Sequence, residues 1–131
     1  LIVLDSSALL AIVYGEPEAE AFTAVLAAEK DCILSTATGV ECGVGILRRT
    51  GQAGRRRFED LVHVASVRYV PVEQIHVSLA LDAFTRYGKG MGHPAQLNFG
   101  DCFAYALAKA LDAPLLYKGD DFAKTDVRSA L

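Results

Sequence analysis

No stretch of this 131-residue chain approaches the run of about 20 apolar residues that crosses a bilayer. A signal-peptide pattern is also missing, because Leu1-Ile-Val-Leu4 runs directly into Asp5. Cysteine is scarce: Cys32, Cys42 and Cys102 are odd in number and form no CxxC pair. That excludes a disulfide framework and a thiolate zinc site, and predicts a reducing, cytoplasmic setting. His63, His76 and His93 are scattered, without HxH or HExxH spacing, so histidine-based metal chemistry is not indicated. Gly88-Lys89-Gly90-Met91-Gly92 is glycine-rich but has neither GxGxxG spacing nor the GK[ST] of a phosphate loop. Internal repeats, low-complexity tracts and linkers are absent, so residues 1–131 are expected to form one domain. An excess of positive charge is missing too. The formal net charge is −3, which at first sight disfavours a polyanionic partner.

What the chain does have is a globular balance, 52% hydrophobic and 22% charged. Short apolar runs alternate with helical segments. Leu1–Leu4, Cys32–Leu34, Val67–Val72 and Pro114–Tyr117 read as strands. Between them, helices are predicted over Ser6–Tyr14, from Pro17, over Thr38–Thr50, Gly54–Ala65, Glu73–Tyr87 and Phe99–Leu111. Gly51 is expected to break the third of these, and residues 88–94 to form a mobile loop. Strands separated by helices imply an α/β fold, a three-layer α/β/α sandwich around a central parallel sheet. In such sheets ligands bind off the carboxyl ends of the strands.

Acids recur at those ends. Asp5 closes the first strand, Glu41 lies near the start of a helix, Asp101 follows Asn98-Phe-Gly100, and Asp120-Asp121 follow the last strand. Each has an ordinary structural explanation. Asp5 and Asn98 suit helix N-caps, and Thr38-Gly-Val-Glu41 fits a capping box. Four carboxylates converging on one sheet end would repel, and a divalent cation is the natural compensation. Oxygen donors without Cys or His suit Mg²⁺ or Mn²⁺.

Leu4-Asp5-Ser6-Ser7-Ala8-Leu9, Glu41, Asn98-Phe-Gly-Asp101-Cys102 and Leu115-Leu-Tyr-Lys-Gly-Asp-Asp-Phe122 together resemble the PIN-domain ribonucleases, and among them the VapC-type toxins. The resemblance runs from the first strand to Val127. It implies an endoribonuclease, the toxin of a toxin–antitoxin pair, that hydrolyses RNA phosphodiesters with Mg²⁺-activated water. A structured RNA such as transfer RNA is the expected target. Asp5, Glu41, Asp101 and Asp121 map to the catalytic, metal-binding acids, and Ser7 to the supporting hydroxyl beside the first. Many relatives carry Asp-x-Asp-Phe near the end, where this chain has Gly119, so Asp120 and Asp126 remain candidates beside Asp121. A VapB-type antitoxin and a homodimer are the implied partners, with no membrane association. The helices before Asp31 and from Arg55 to Val64 offer apolar faces for a partner helix or for core packing.

Arg48, Arg49, Arg55, Arg56 and Arg57 form a basic cluster, and Lys89, Lys118 and Lys124 lie in loops. The arginines fit a phosphate-tracking patch, a solvated surface or a contact with an acidic partner. Setting the four mapped acids aside turns the formal −3 into +1, so the mild acidity is largely the candidate site itself. Other readings fit less well. A haloacid-dehalogenase phosphatase needs a second Asp where Ser7 stands, and a phospho-receiver needs an acceptor Asp where Val70-Pro71 offers none. A non-catalytic module on the same fold, binding RNA or protein, is the alternative.

Overall fold

The computed structural model describes residues 1–131. Four strands, β1 (Ile2–Leu4), β2 (Cys32–Ser35), β3 (Arg68–Val70) and β4 (Leu115–Leu116), form one sheet in the order β3-β2-β1-β4. All three pairings are parallel, with Val3 opposite both Ile33 and Leu115. The helices are α1 (Ser6–Val13), α2 (Ala19–Ala28), α3 (Thr36–Val64), α4 (Gln74–Tyr87) and α5 (Phe99–Ala110). A short 3₁₀ turn, Phe122–Lys124, follows β4.

The layering follows from the period-2 alternation of side chains along a strand. Ile2, Leu4, Cys32, Leu34 and Leu116 point into a core with Leu9, Phe22, Ile46 and Phe58 from α1, α2 and α3. Val3, Ile33 and Leu115 point the other way, into a second core with Ala83, Tyr87, Ala104 and Leu107 from α4 and α5. Apart from Ser35 at the end of β2, the central strands are apolar at every position because both of their faces are covered. All three cysteines are buried and free.

α3 is helical throughout except at Gly51, whose φ of 63° and ψ of −155° reverse the chain. This left-handed backbone is where glycine is needed. The returning half packs closely: a Cβ on Gly54 would fall 1.7 Å from Thr50 Oγ1. The reversal matches the break expected at Gly51. Helix α3 begins two residues earlier than expected, however, with Ser35 at its N-cap. The Thr38–Glu41 capping box is therefore not formed. Thr38 lies inside the helix, its buried hydroxyl without a partner.

The strand order reverses direction at β1, which has β2 on one side and β4 on the other. At such a point the flanking connections leave on opposite faces and open a crevice. The residues that leave β1 and β4 here are Asp5 and the Lys118–Asp121 loop. The Asp5 amide donates to Leu116 O at 2.9 Å, which brings the two carboxyl ends together.

Candidate active site

Asp5 is the first residue after β1 and the N-cap of α1. Its Oδ2 accepts the Ser7 amide at 3.0 Å and the Ser7 hydroxyl at 2.6 Å. The Ser7 hydroxyl in turn accepts the Lys118 amide at 2.9 Å. One serine thus ties α1, the first acid and the loop after β4 together. With its proton given to Asp5 and a lone pair to Lys118, Ser7 acts as a clamp. Asp5 Oδ1 is buried without any hydrogen-bond partner. A buried acceptor in that state is costly unless something unseen in the protein fold satisfies it. Burial raises the Asp5 carboxyl from 3.8 to about 6, against the two Ser7 hydrogen bonds, with the charge of Glu41 adding to the rise.

Glu41 stands in the second turn of α3, and its Oε1 accepts the Ser6 hydroxyl at 2.9 Å. The carboxylate lies against Gly100, where a Cβ would sit 1.4 Å from Oε2. The need for a residue without a Cβ beside Glu41 makes Gly100 the overlooked signal in Asn98-Phe-Gly-Asp101. Ser6 is the other contributor not singled out from sequence, since nothing distinguishes it there from an ordinary first-turn serine.

Asp101 occupies the first turn of α5, in a capping box with Asn98: each side chain accepts the other's amide at 2.9 Å. Burial raises its carboxyl to about 7, opposed by the Asn98 amide and reinforced by the charges of Asp5, Glu41 and Asp121. Asp5, Glu41, Asp101 and Asp121 therefore share one electrostatic neighbourhood. Asp121 is exposed at its edge, heading the 3₁₀ turn. Asp126 belongs elsewhere. It binds Tyr105, Lys109 and Arg86, and although burial pushes its carboxyl up, the bonds from Tyr105 and Lys109 hold it below the usual range.

Could these acids hold a metal? No three of them stand ready around one point. Glu41 is turned to Ser6 and Asp101 to the Asn98 amide. Yet the partnerless Asp5 Oδ1 and the burial-raised carboxyls of Asp5 and Asp101 fit a cation. Mg²⁺ takes one or two carboxylates, keeps its waters and binds substrate phosphate, so the donor set suits it.

The PIN domain profile matches residues 2–128. The chain belongs to the PIN-domain family. Within that family it sits among the VapC ribonucleases. The ribonuclease VapC of Mycolicibacterium smegmatis is 45% identical over 125 residues, 95% of this chain and 96% of the relative. Ribonuclease VapC30 of Mycobacterium tuberculosis is 43% identical, with 95% of each covered. In solved structures the fold is similar to Mycobacterium tuberculosis VapC20, a toxin described as cleaving the sarcin-ricin loop. That match has a TM-score of 0.79 at 15% identity, over 97% of this chain and 96% of the other. A toxin–antitoxin complex from Klebsiella pneumoniae matches with a TM-score of 0.69 at 18% identity, over 94% and 91%.

Around this PIN-domain site the basic residues are not equivalent. All five arginines of α3 are exposed. Arg55 pairs with Glu59 at 2.7 Å, and Arg49 lies 4.0 Å over the Tyr14 ring. Arg48, Arg56 and Arg57 make no ion pair. Lys118, one of the three loop lysines, is neutralised by Glu16 at 3.0 Å and Glu18 at 3.1 Å. Lys89 and Lys124 are exposed. The two ends of the segment expected to be a mobile loop are tied down, while residues 90–92 between them are exposed. Lys89 donates to Leu97 O, Leu97 to Tyr87 O, and Ala95 to His93 Nδ1. Ala95 and Leu97 are fully buried, which places the Asn98 cap firmly ahead of Asp101.

Proposed function

We propose that this VapC-type PIN domain, residues 1–131 acting as one unit, is a Mg²⁺-dependent endoribonuclease that also uses Mn²⁺, restrained by an antitoxin partner. The observation that carries the proposal is the buried, partnerless Asp5 Oδ1 beside Glu41 and Asp101. Asp5 and Asp101 would be the principal metal ligands, Glu41 a further ligand or base, and Asp121 the completing acid. When bound, the cation offsets charge on the phosphoryl oxygens and eases deprotonation of water.

The chain's own groups divide the remaining work. Ser7 fixes the rotamer of Asp5, so that Oδ1 keeps its aim when a ligand arrives. Ser6 holds Glu41 Oε1 and leaves Oε2 to accept a proton from the attacking water. Asp101, raised to about 7 without a cation, carries a proton part of the time near neutrality and gives it up as positive charge enters. Arg48, Arg56, Arg57 and Lys89 are exposed and supply unneutralised charge for an RNA backbone.

The Klebsiella complex supports the antitoxin partner through fold likeness. Exposed Val77, Leu81 and Phe99 on α4 and α5 support a homodimer, because contiguous apolar surface favours burial. No helix is long and apolar enough to cross a membrane, and the unpaired thiols favour a cytoplasmic setting. The test is cleavage of RNA by the purified chain with Mg²⁺, with EDTA, and after Mg²⁺ is restored. Loss and recovery of cleavage are expected. RNA binding without cleavage in any metal would favour the non-catalytic module.

A further inference from the structure

Asp101, Tyr105 and Lys109 are spaced by four residues and share one face of α5. The segment after β4 lies along that face. At the near end stands Asp121, whose charge reaches Asp101. At the far end Asp126 accepts the Tyr105 hydroxyl at 2.5 Å and Lys109 Nζ at 3.1 Å, with Arg86 of α4 at 3.7 Å. Tyr105 is buried and its ring packs 5.9 Å from that of Tyr87. Between the two acids, Phe122 is buried 5.3 Å from the Tyr117 ring. Asp121 itself makes no side-chain cap hydrogen bond, so its place depends on the backbone on either side. Exposed ion pairs are weak anchors, but a short bond from a buried hydroxyl to a carboxylate is among the stronger kinds.

We infer that Asp126 is a positioning residue: held by Tyr105 and Lys109, it sets where Asp121 stands along α5 relative to Asp101, and through that the affinity for the divalent cation. The inference rests on the metal-dependent reading above. It assigns a part in the site to Asp126, whose own partners are Tyr105, Lys109 and Arg86. Tyr105 is the natural origin of the register, because it sits one helical turn beyond Asp101 and cannot move without disturbing the α4–α5 core.

The test uses the full chain with Asp126→Asn, Asp121→Asn and the double substitution. Mn²⁺ binding is read from the free-ion electron paramagnetic resonance signal, cleavage from its Mg²⁺ dependence, and folding from circular dichroism. Asp126→Asn is expected to weaken Mn²⁺ binding and raise the half-saturating Mg²⁺ concentration, each by about tenfold, as loss of an outer-shell partner typically does. In the Asp121→Asn background it is expected to add nothing. Should Asp126→Asn fold poorly, Tyr105→Phe removes the hydroxyl alone and carries the same expectation. Unshifted metal dependence, or losses that multiply independently of Asp121, would overturn the inference while leaving the ribonuclease reading standing. A wild-type chain that neither binds Mn²⁺ nor cleaves RNA would remove both.

Discussion

Replacing Asp5 with Asn should make the metal-free protein more stable at alkaline pH while ending cleavage. Asn imitates the protonated carboxyl and remains a good N-cap for α1. Burial, net of the Ser7 bonds, raises Asp5 from 3.8 to about 6. At 1.36 kcal/mol per pH unit, keeping the carboxylate ionised costs about 3 kcal/mol above pH 6. The sign follows from proton counting. Between the unfolded and folded pKa values the native state holds more protons than the unfolded one, so wild-type stability falls as pH rises through that window. The Asn variant escapes the penalty and also relieves Asp101 of one repelling charge. For a domain of this size the difference amounts to about 10 °C in melting temperature at pH 8. It should hold down to about pH 6 and then shrink toward pH 4, where the folded wild type, like the variant, carries a neutral group at position 5. The assay is thermal melting by circular dichroism in EDTA from pH 4 to 8, repeated with excess Mg²⁺. Mg²⁺ should restore the wild type and leave the variant unmoved. A variant that melts below wild type at pH 8, or a difference that does not change with pH, would refute the reasoning.

Gly100→Ala should separate stability from activity. The new methyl displaces Glu41 from Ser6, so cleavage should fall by about 10²-fold or more, the usual worth of a positioned proton acceptor, while helix propensity offsets the strain in a melting curve. Wild-type turnover in that variant would show that the Glu41 placement is immaterial. Changing Arg48, Arg56 and Arg57 together to Gln should weaken RNA binding and reduce the slope of log K against log salt by about 2, from three lost single-strand phosphate contacts. Titrating binding at several salt concentrations measures this directly, and an unchanged slope would return those arginines to the solvated surface.

Much of the scaffold was legible because local and tertiary preferences agree. Leu1–Leu4 and Cys32–Leu34 are apolar at every position, as strands between two cores must be. Gly51 ends one helix and begins another because only glycine takes that backbone cheaply. The acids Asp5 and Asp101 were visible at element ends, where capping and metal binding ask for the same residue types. Less was visible wherever side chains meet across the fold. The packing of Glu41 on Gly100, the Ser6 bond and the capture of Lys118 by Glu16 and Glu18 join distant segments with no periodic trace. Residues 88–94 looked mobile on composition, yet Ala95 and Leu97 behind them are buried anchors. Asp121 was favoured in sequence because it precedes Phe122, with Asp126 kept as a candidate, and the neighbours of the two acids now set them apart.

The bond from the Lys118 amide to the Ser7 hydroxyl spans 111 positions of the chain. A contact that distant needs both ends of the chain, and its loop must close before it returns any free energy. On a ribosome, a polypeptide that has emerged through α5 already carries Asp5, Glu41 and Asp101, but neither β4 nor the amide that steadies Ser7. The pocket therefore matures only when residues 115–118 dock beside β1. For a nuclease synthesised amid RNA, this order of assembly delays competence until nearly the whole fold is in hand.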